Sequence, residues 1–161
     1  RCSRDWSSDV CSSDLVLDTT RQALAELSLW LGWVVAAVTM AGSLYYSVGA
    51  HFLPCELCWY QRICMYPLVA ILLVGALRRD RKVWMYASIP VLAGIVIAAY
   101  HTQLQAFPEQ KTFCDTMNPC TNRYVWEFGF VSLPLMNLVA LVFILVMLIV
   151  SATTPHTEES P

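Results

Sequence analysis

The sequence has few charged residues: Asp, Glu, Lys and Arg make up 14% of its 161 residues, against roughly 25% in soluble domains. None of these residues occurs between Glu26 and Glu56. The net charge is −2, and no basic cluster has the pattern of a nucleic-acid-binding surface. Hydrophobic residues make up 57% of the chain, and the mean hydropathy is +0.53. This composition indicates a membrane protein of one domain that binds no nucleic acid.

The first fifteen residues lack the features of a signal peptide. They contain no apolar core, and they repeat Ser-Ser-Asp at residues 7–9 and 12–14. We expect residues 1–15 to be an artefactual or disordered leader, and we assign no function to Cys2 or Cys11. Five of the seven cysteines then remain for functional interpretation.

Long apolar stretches define the predicted architecture, because a helix of about 20 apolar residues crosses the hydrocarbon core of a bilayer. We predict an all-α, polytopic membrane protein: a four-transmembrane-helix bundle with two cysteine-bearing loops. The predicted membrane domain covers residues 16–151, and we expect a disordered tail over 152–161. The predicted helices cover about residues 27–49, 55–77, 83–101 and 131–150.

The distribution of basic residues predicts the orientation in the membrane. Four Lys or Arg residues lie within 78–82, whereas the longer stretch 101–127 contains only Lys111 and Arg123. Loops rich in Lys and Arg stay in the cytoplasm. We therefore expect both termini to be cytoplasmic and both cysteine-bearing loops to be extracytoplasmic, on the oxidising side where disulfides persist.

The segment PCELCWYQR, residues 54–62, lies where the second helix begins. Cys55 and Cys58 have the C-x-x-C spacing near a helix N-terminus, where free N–H groups stabilise a thiolate, the reactive form in disulfide exchange. The same spacing suits an inert disulfide or two metal thiolates. Arg62 follows Cys58 by one turn on the same face. It could stabilise a thiolate or a bound carbonyl oxygen, or it could snorkel to the headgroups.

Other polar and sulfur-containing residues lie near the same membrane boundary. His101 ends the predicted third helix at about the membrane depth of Arg62, and Gln105 follows one turn later. A lone histidine there is often a surface residue. Cys114 and Cys120 bracket five loop residues, a spacing that suits a structural disulfide or a labile, exchangeable one. Cys64 lies among apolar residues and is interpreted as a buried small hydrophobic side chain.

Two cysteine pairs on one side of the membrane predict a relay of thiol–disulfide exchanges. Electrons would enter at the loop pair, pass to the C-x-x-C pair and leave to a membrane-soluble acceptor. A lipid quinone suits this last role because it accepts two electrons and resides in the membrane, where Arg62 points.

Residues 27–150 resemble the DsbB/BdbC-type disulfide bond formation proteins, and the compact BdbC-like branch in particular, since five residues separate the loop cysteines. The resemblance rests on residues 54–62, on YHTQLQ at 100–105, and on the loop cysteines with WEF at 126–128. It implies a thiol:quinone oxidoreductase of the bacterial inner membrane. Such a protein uses ubiquinone or menaquinone and reoxidises a thioredoxin-fold oxidant of the DsbA/BdbD kind.

The resemblance also implies roles for individual residues. Cys58 would engage the quinone, and Cys55 would exchange with the loop pair, most directly with Cys120. Cys114 would form a mixed disulfide with the thioredoxin-fold oxidant. No metal site is implied. The residues implied to bind the quinone are Arg62, His101 and Gln105.

Three alternative functions stay open. A vitamin K epoxide reductase-like protein also has four helices and two cysteine pairs, but its C-x-x-C belongs near the last helix. Four thiolates could bind zinc tetrahedrally, although the oxidising side disfavours free thiolates and Arg62 would repel a divalent cation. A structural tetraspan with disulfide-linked loops would give Arg62 and His101 no reason to converge.

Overall fold

The computed structural model describes residues 8–80, 82–110, 114, 119–121 and 132–153. All regular secondary structure within these ranges is helical, and four helices are long and apolar enough to cross a membrane. The predicted all-α, four-helix membrane class is therefore confirmed. The elements are α1 (Ser8–Leu44) with a following π-helical turn (Tyr45–Gly49), α2 (Glu56–Arg78), α3 (Val83–Ala106) and α4 (Leu133–Thr153).

α1 and α3 extend furthest beyond their predicted bounds, while α2 and α4 pass theirs by one and three residues. α1 begins at Ser8, within the segment set aside as a leader, although the stretch that is apolar enough to cross a membrane is Thr19–Gly49, which includes the π-helical turn. α3 continues past residue 101 to Ala106, because most of the added residues favour a helix. The helix ends there because Pro108 disfavours the helical conformation of the residue before it. Residues 154–161 lie outside the described part of the chain. The leader and the disordered tail both stay predictions.

Each helix of the bundle packs against two neighbours: α1 and α3 both contact α2 and α4. Leu68, Leu72, Leu141 and Ile144 are fully buried between them and form the centre of the core. Large apolar side chains also cover the outer surface of the bundle. An apolar surface of this extent is unfavourable in water. A bundle that is apolar both inside and outside suits a lipid environment.

The turn between α2 and α3 closes the end of the bundle that lies away from the C-x-x-C pair. Arg79 adopts the left-handed conformation (φ 53°), and its N–H and that of Asp80 donate to the carbonyl oxygens of Ala76 and Gly75. These two bonds form a Schellman motif. A Cβ at Gly75 would lie 2.6 Å from Cγ2 of Val83, so the absence of a side chain there permits this close approach of α2 and α3.

The end of α1 widens into the π-helical turn beside the start of α2. The N–H of Ala50 donates to the carbonyl oxygen of Tyr45 at 3.1 Å, the i→i+5 bond of a π-helix. The hydroxyl of Ser47 lies within this turn, and that of Ser43 lies one turn before it, in α1. Both hydroxyls contribute to the site described below.

We expect Gly75→Ala to destabilise the protein by about 1–3 kcal/mol, because the new methyl group must displace the buried, β-branched side chain of Val83. The matched control is Gly32→Ala, where a Cβ would meet nothing closer than Cβ of Met147 at 3.8 Å. Thermal unfolding of the two variants in detergent measures the difference. Equal melting temperatures for both variants would contradict this packing.

Candidate active site

Two thiols that form no disulfide lie at the N-terminal end of α2. Cys55 is buried and is the N-cap residue, in an extended conformation, while Cys58 is partly buried in the first turn. Their Sγ atoms are 2.8 Å apart and hydrogen-bonded. This hydrogen bond and burial raise the pKa of the Cys55 thiol above its ordinary range, against the opposing effect of His101. The Cys55 thiol is therefore harder to deprotonate than an ordinary cysteine, which has a lower pKa.

His101 connects the two cysteine-bearing segments. Its Nε2 atom lies 3.7 Å from Sγ of Cys55 and 3.1 Å from the carbonyl oxygen of Cys120. On the other edge of the ring, Nδ1 lies 3.1 Å from Nε2 of Gln61. The amide of Asn137 donates to Oε1 of Gln61 at 3.0 Å. The histidine of α3 is thus tied to α2, to α4 and to the cysteine loop.

The loop cysteines Cys114 and Cys120 form a disulfide, with their Cα atoms 5.9 Å apart. Cys120 is 0% exposed and lies in a small apolar cluster with Cys55 and two leucines. Cys58 and Cys114 pack against the same cluster. The fold therefore brings both cysteine pairs together, and the short loop is long enough to reach the C-x-x-C pair.

Arg62 is 8% exposed, and its guanidinium points toward the end of α1. Nε donates to Oγ of Ser43 at 3.0 Å, and Nη2 donates to the carbonyl oxygen of Ser43 and to Oγ of Ser47, both at 2.8 Å. Cζ lies 5.3 Å from the ring centroid of Trp59, a cation–π contact. Nη1 has no acceptor among the described residues. A buried cation with a free donor can hold a ligand oxygen.

A cavity of about 290 Å³ lies between the end of α1 and the starts of α2 and α4. Its size is near the lower limit of ligand pockets, about 300 Å³. Cys58 and Arg62 both line it, and the stacked rings of Tyr46 and Phe52 line it as well. Most other lining groups are apolar. This combination suits a flat, apolar molecule that has a carbonyl or oxyanion group next to a thiol.

The predicted site residues separate into two neighbouring groups. Cys55 lies in the buried cluster of Cys55, Leu57, Leu104 and Cys120, which we call the sulfur cluster, and His101 contacts it. Arg62 lines the cavity, and Cys58 contacts both the cluster and the cavity. Gln105 is buried one turn after His101 and is not among the residues that line the cavity. The roles of His101 and Gln105 in cofactor binding stay predictions.

The sequence analysis missed four polar residues of the site: Gln61, Asn137, Ser43 and Ser47. One signal could have found Asn137, because it is a polar side chain in a membrane span without charges, and polar groups at membrane depth are usually functional. The serines carried no such signal. Serines are common in membrane helices, where their hydroxyls bond to the carbonyl four residues earlier, as Ser47 bonds to Ser43 here.

A membrane bundle in which a C-x-x-C pair packs against a loop disulfide and a buried histidine defines a class, the membrane thiol–disulfide oxidoreductases. The family of the disulfide bond formation protein DsbB matches residues 25–151, so the chain belongs to that family. It is accordingly a multi-pass membrane protein that catalyses disulfide bond formation as a thiol oxidase.

Proteins of similar sequence are named for disulfide bond formation. Disulfide bond formation protein C of Bacillus subtilis is 40% identical over 120 residues, which cover 73% of this chain and 87% of that protein. Probable disulfide formation protein C of Halalkalibacterium halodurans is 42% identical over 123 residues, 74% of this chain and 89% of that protein. Probable disulfide formation protein C 2 of Bacillus cereus is 36% identical over 129 residues, with coverages of 80% and 93%. No solved structure matches the chain.

Proposed function

We propose that the protein is a thiol:quinone oxidoreductase that reoxidises a thioredoxin-fold partner of the DsbA/BdbD kind. Packing of the loop disulfide against the C-x-x-C pair supports this proposal most directly. Cys120 is buried beside Cys55, and Cys55 is hydrogen-bonded to Cys58, which lines the cavity. These contacts form a continuous path from the loop to the cavity.

The proposed steps are thiol–disulfide exchanges, which proceed by thiolate attack through mixed disulfides. A thiolate of the reduced partner attacks Cys114, and the second thiol of the partner resolves the mixed disulfide, which leaves two loop thiols. Cys120 then attacks Cys55 of a Cys55–Cys58 disulfide, and Cys114 resolves this second intermediate. The loop disulfide is restored, and two electrons and two protons now reside on Cys55 and Cys58.

A lipid quinone, ubiquinone or menaquinone, would supply a two-electron, two-proton acceptor that resides in the membrane. The residues of the cavity fit such a molecule. Nη1 of Arg62, which has no acceptor among the described residues, can donate to a carbonyl oxygen, and Cys58 lines the same cavity. Ser43 and Ser47 hold the guanidinium in one orientation before any ligand binds, so little side-chain freedom is lost on binding.

A zinc site is the second candidate, because the ligand atoms of Cys55, Cys58 and His101 lie within 4.8 Å of one another. A structural zinc site takes four ligands. The loop cysteines are joined to each other, so they supply no thiolate to complete the set. Among the described residues, only these three potential ligands come together, which favours the redox function.

We infer further that the cysteine-bearing end of the bundle is extracytoplasmic. Cys55 begins α2, whereas Arg78, Arg79 and Lys82 lie at its opposite end, and basic loops stay in the cytoplasm. Alkaline phosphatase fused after residue 110 should be active in bacteria, because it needs the oxidising side to form its disulfides. The same enzyme fused after residue 80 should be inactive. The reverse result would contradict this orientation.

We expect Cys114→Ser to abolish quinone reduction driven by a reduced thioredoxin-fold partner, because electrons then have no entry to the relay. Quinone absorbance in membranes measures this turnover. Cys64→Ser is the matched control and should keep turnover near that of the unchanged protein, because Cys64 packs beside Gly94 of α3 and belongs neither to the sulfur cluster nor to the cavity lining.

Full turnover in Cys114→Ser would contradict the entry of electrons at Cys114. No turnover in the unchanged protein, with one bound zinc per chain, would favour the metal site; without zinc, it would favour a structural tetraspan.

We expect Arg62→Met to raise the apparent KM for quinone about 10- to 100-fold, which corresponds to the loss of one hydrogen bond from a charged donor, about 1.5–3 kcal/mol. The melting temperature should change less, since the hydroxyl of Ser47 retains its bonds to the carbonyl oxygens of Ser43 and Leu44. Arg79→Met, which removes an arginine that is 74% exposed, is the control and should leave KM unchanged. An unchanged KM in Arg62→Met would remove Arg62 from the quinone site.

A further inference from the structure

Three polar side chains from three helices form a row of hydrogen bonds that ends at the sulfur cluster. Asn137 of α4 donates to Gln61 of α2, and Gln61 contacts Nδ1 of His101 on α3. Nε2 of His101 then contacts the carbonyl oxygen of Cys120 and Sγ of Cys55. We call Asn137, Gln61 and His101 the amide relay.

The donors and acceptors of the amide relay determine where the imidazole proton lies. The amide nitrogen of Asn137 only donates, so it fixes the oxygen of Gln61 on the α4 side and the nitrogen of Gln61 on the side of His101. That nitrogen also only donates, so Nδ1 of His101 must accept. The proton is therefore on Nε2, and the acceptor it faces is a carbonyl oxygen, which requires a donor. Each contact in the row agrees with the neutral Nε2–H form.

No described acidic group opposes this assignment. The titratable groups that face His101 from α2 are the thiols of Cys55 and Cys58, and the guanidinium of Arg62 turns away toward α1. Glu56, in the first turn of α2, is exposed. α4 has no titratable side chain within Leu133–Thr153.

We propose that Gln61 and Asn137 are positioning residues that hold His101 as its Nε2–H tautomer, so that this N–H group serves the exchange between Cys55 and the loop pair. The inference rests on the proposed function. In the resolving step, Cys114 attacks Cys120 of the Cys55–Cys120 disulfide, the Cys114–Cys120 bond forms, and the electron pair of the broken bond leaves on Cys55. The N–H of His101 stabilises this thiolate and also holds the backbone of Cys120 in place.

The tautomer can be measured without any assay of activity, by the imidazole nitrogen signals of protein labelled with ¹⁵N-histidine. The chain has three histidines, and the signal lost in His101→Gln identifies the relevant ring. We expect the unchanged protein to have the proton on Nε2 and none on Nδ1. Gln61→Glu replaces the donor by an acceptor, so a proton should appear on Nδ1.

Asn137→Asp provides an independent variant that leaves both Gln61 and His101 in place. The carboxylate only accepts, so the amide of Gln61 must turn its nitrogen toward α4 and its oxygen toward His101. A proton should again appear on Nδ1. Gln103→Glu is the matched control: it adds the same charge to an exposed position of α3 and should leave the ring signals unchanged.

The functional half of the proposal is tested by a single turnover without quinone. This measures thiol–disulfide exchange alone, without electron transfer to a quinone in the cavity. Protein with a Cys55–Cys58 disulfide is mixed with a reduced thioredoxin-fold oxidant, quenched in acid and alkylated. Exchange should be slower by about fivefold or more in Gln61→Glu and Asn137→Asp, and unchanged in Gln103→Glu.

Each result decides between defined alternatives. An unprotonated Nδ1 in both Gln61→Glu and Asn137→Asp would overturn the amide relay, whatever the activity. A ring with its proton on Nδ1 and none on Nε2, together with undiminished exchange, would overturn its role in catalysis. Failure of the unchanged protein to exchange with any thioredoxin-fold oxidant would overturn the proposed function, while the ring signals would still report the tautomer.

Discussion

Hydrogen bonding of buried polar side chains inside an apolar bundle is the interaction on which this site depends. A polar group in lipid or in the protein interior is costly unless it is paired, so each such group restricts the positions of its neighbours. Arg62 ties α2 to the end of α1, and Gln61 ties α2 to α3 and α4. All four helices are thereby fixed relative to one another at the end of the bundle where the cysteines lie.

The two faces of the first turns of α2 have different surroundings, and this separates two kinds of chemistry. Cys55 faces a buried cluster of sulfur and leucine side chains, in which the ring of His101 is the polar neighbour. Cys58 faces a cavity lined by a permanent cation. Exchange between sulfur atoms needs close contact and moves a thiolate charge from one sulfur to another, whereas electron transfer to a carbonyl compound builds negative charge on oxygen. The C-x-x-C spacing places Cys55 within the cluster and Cys58 between the cluster and the cavity.

The sequence was sufficient for the helices and for the motif, since both depend on local pattern. Long apolar runs predict spans, and the spacing of Cys55, Cys58 and Arg62 predicts their common position at one helix end. The contacts of Gln61 with His101 and Asn137 depend on how three helices rotate about their axes, which no local pattern determines. The burial of Cys120 could not be predicted for the same reason, because residues of α2 and α3 cover this side chain only when the helices are assembled.

The unequal burial of the loop cysteines indicates a direction for the exchange. Cys120 is fully buried against Cys55, whereas Cys114 is partly exposed at the edge of the same cluster. A protein thiol that arrives from solution can reach the more exposed sulfur, and only a sulfur from within the chain can approach Cys120 in this conformation. In the proposed relay, the partner therefore docks beside Cys114, and Cys120 passes the electrons on to Cys55.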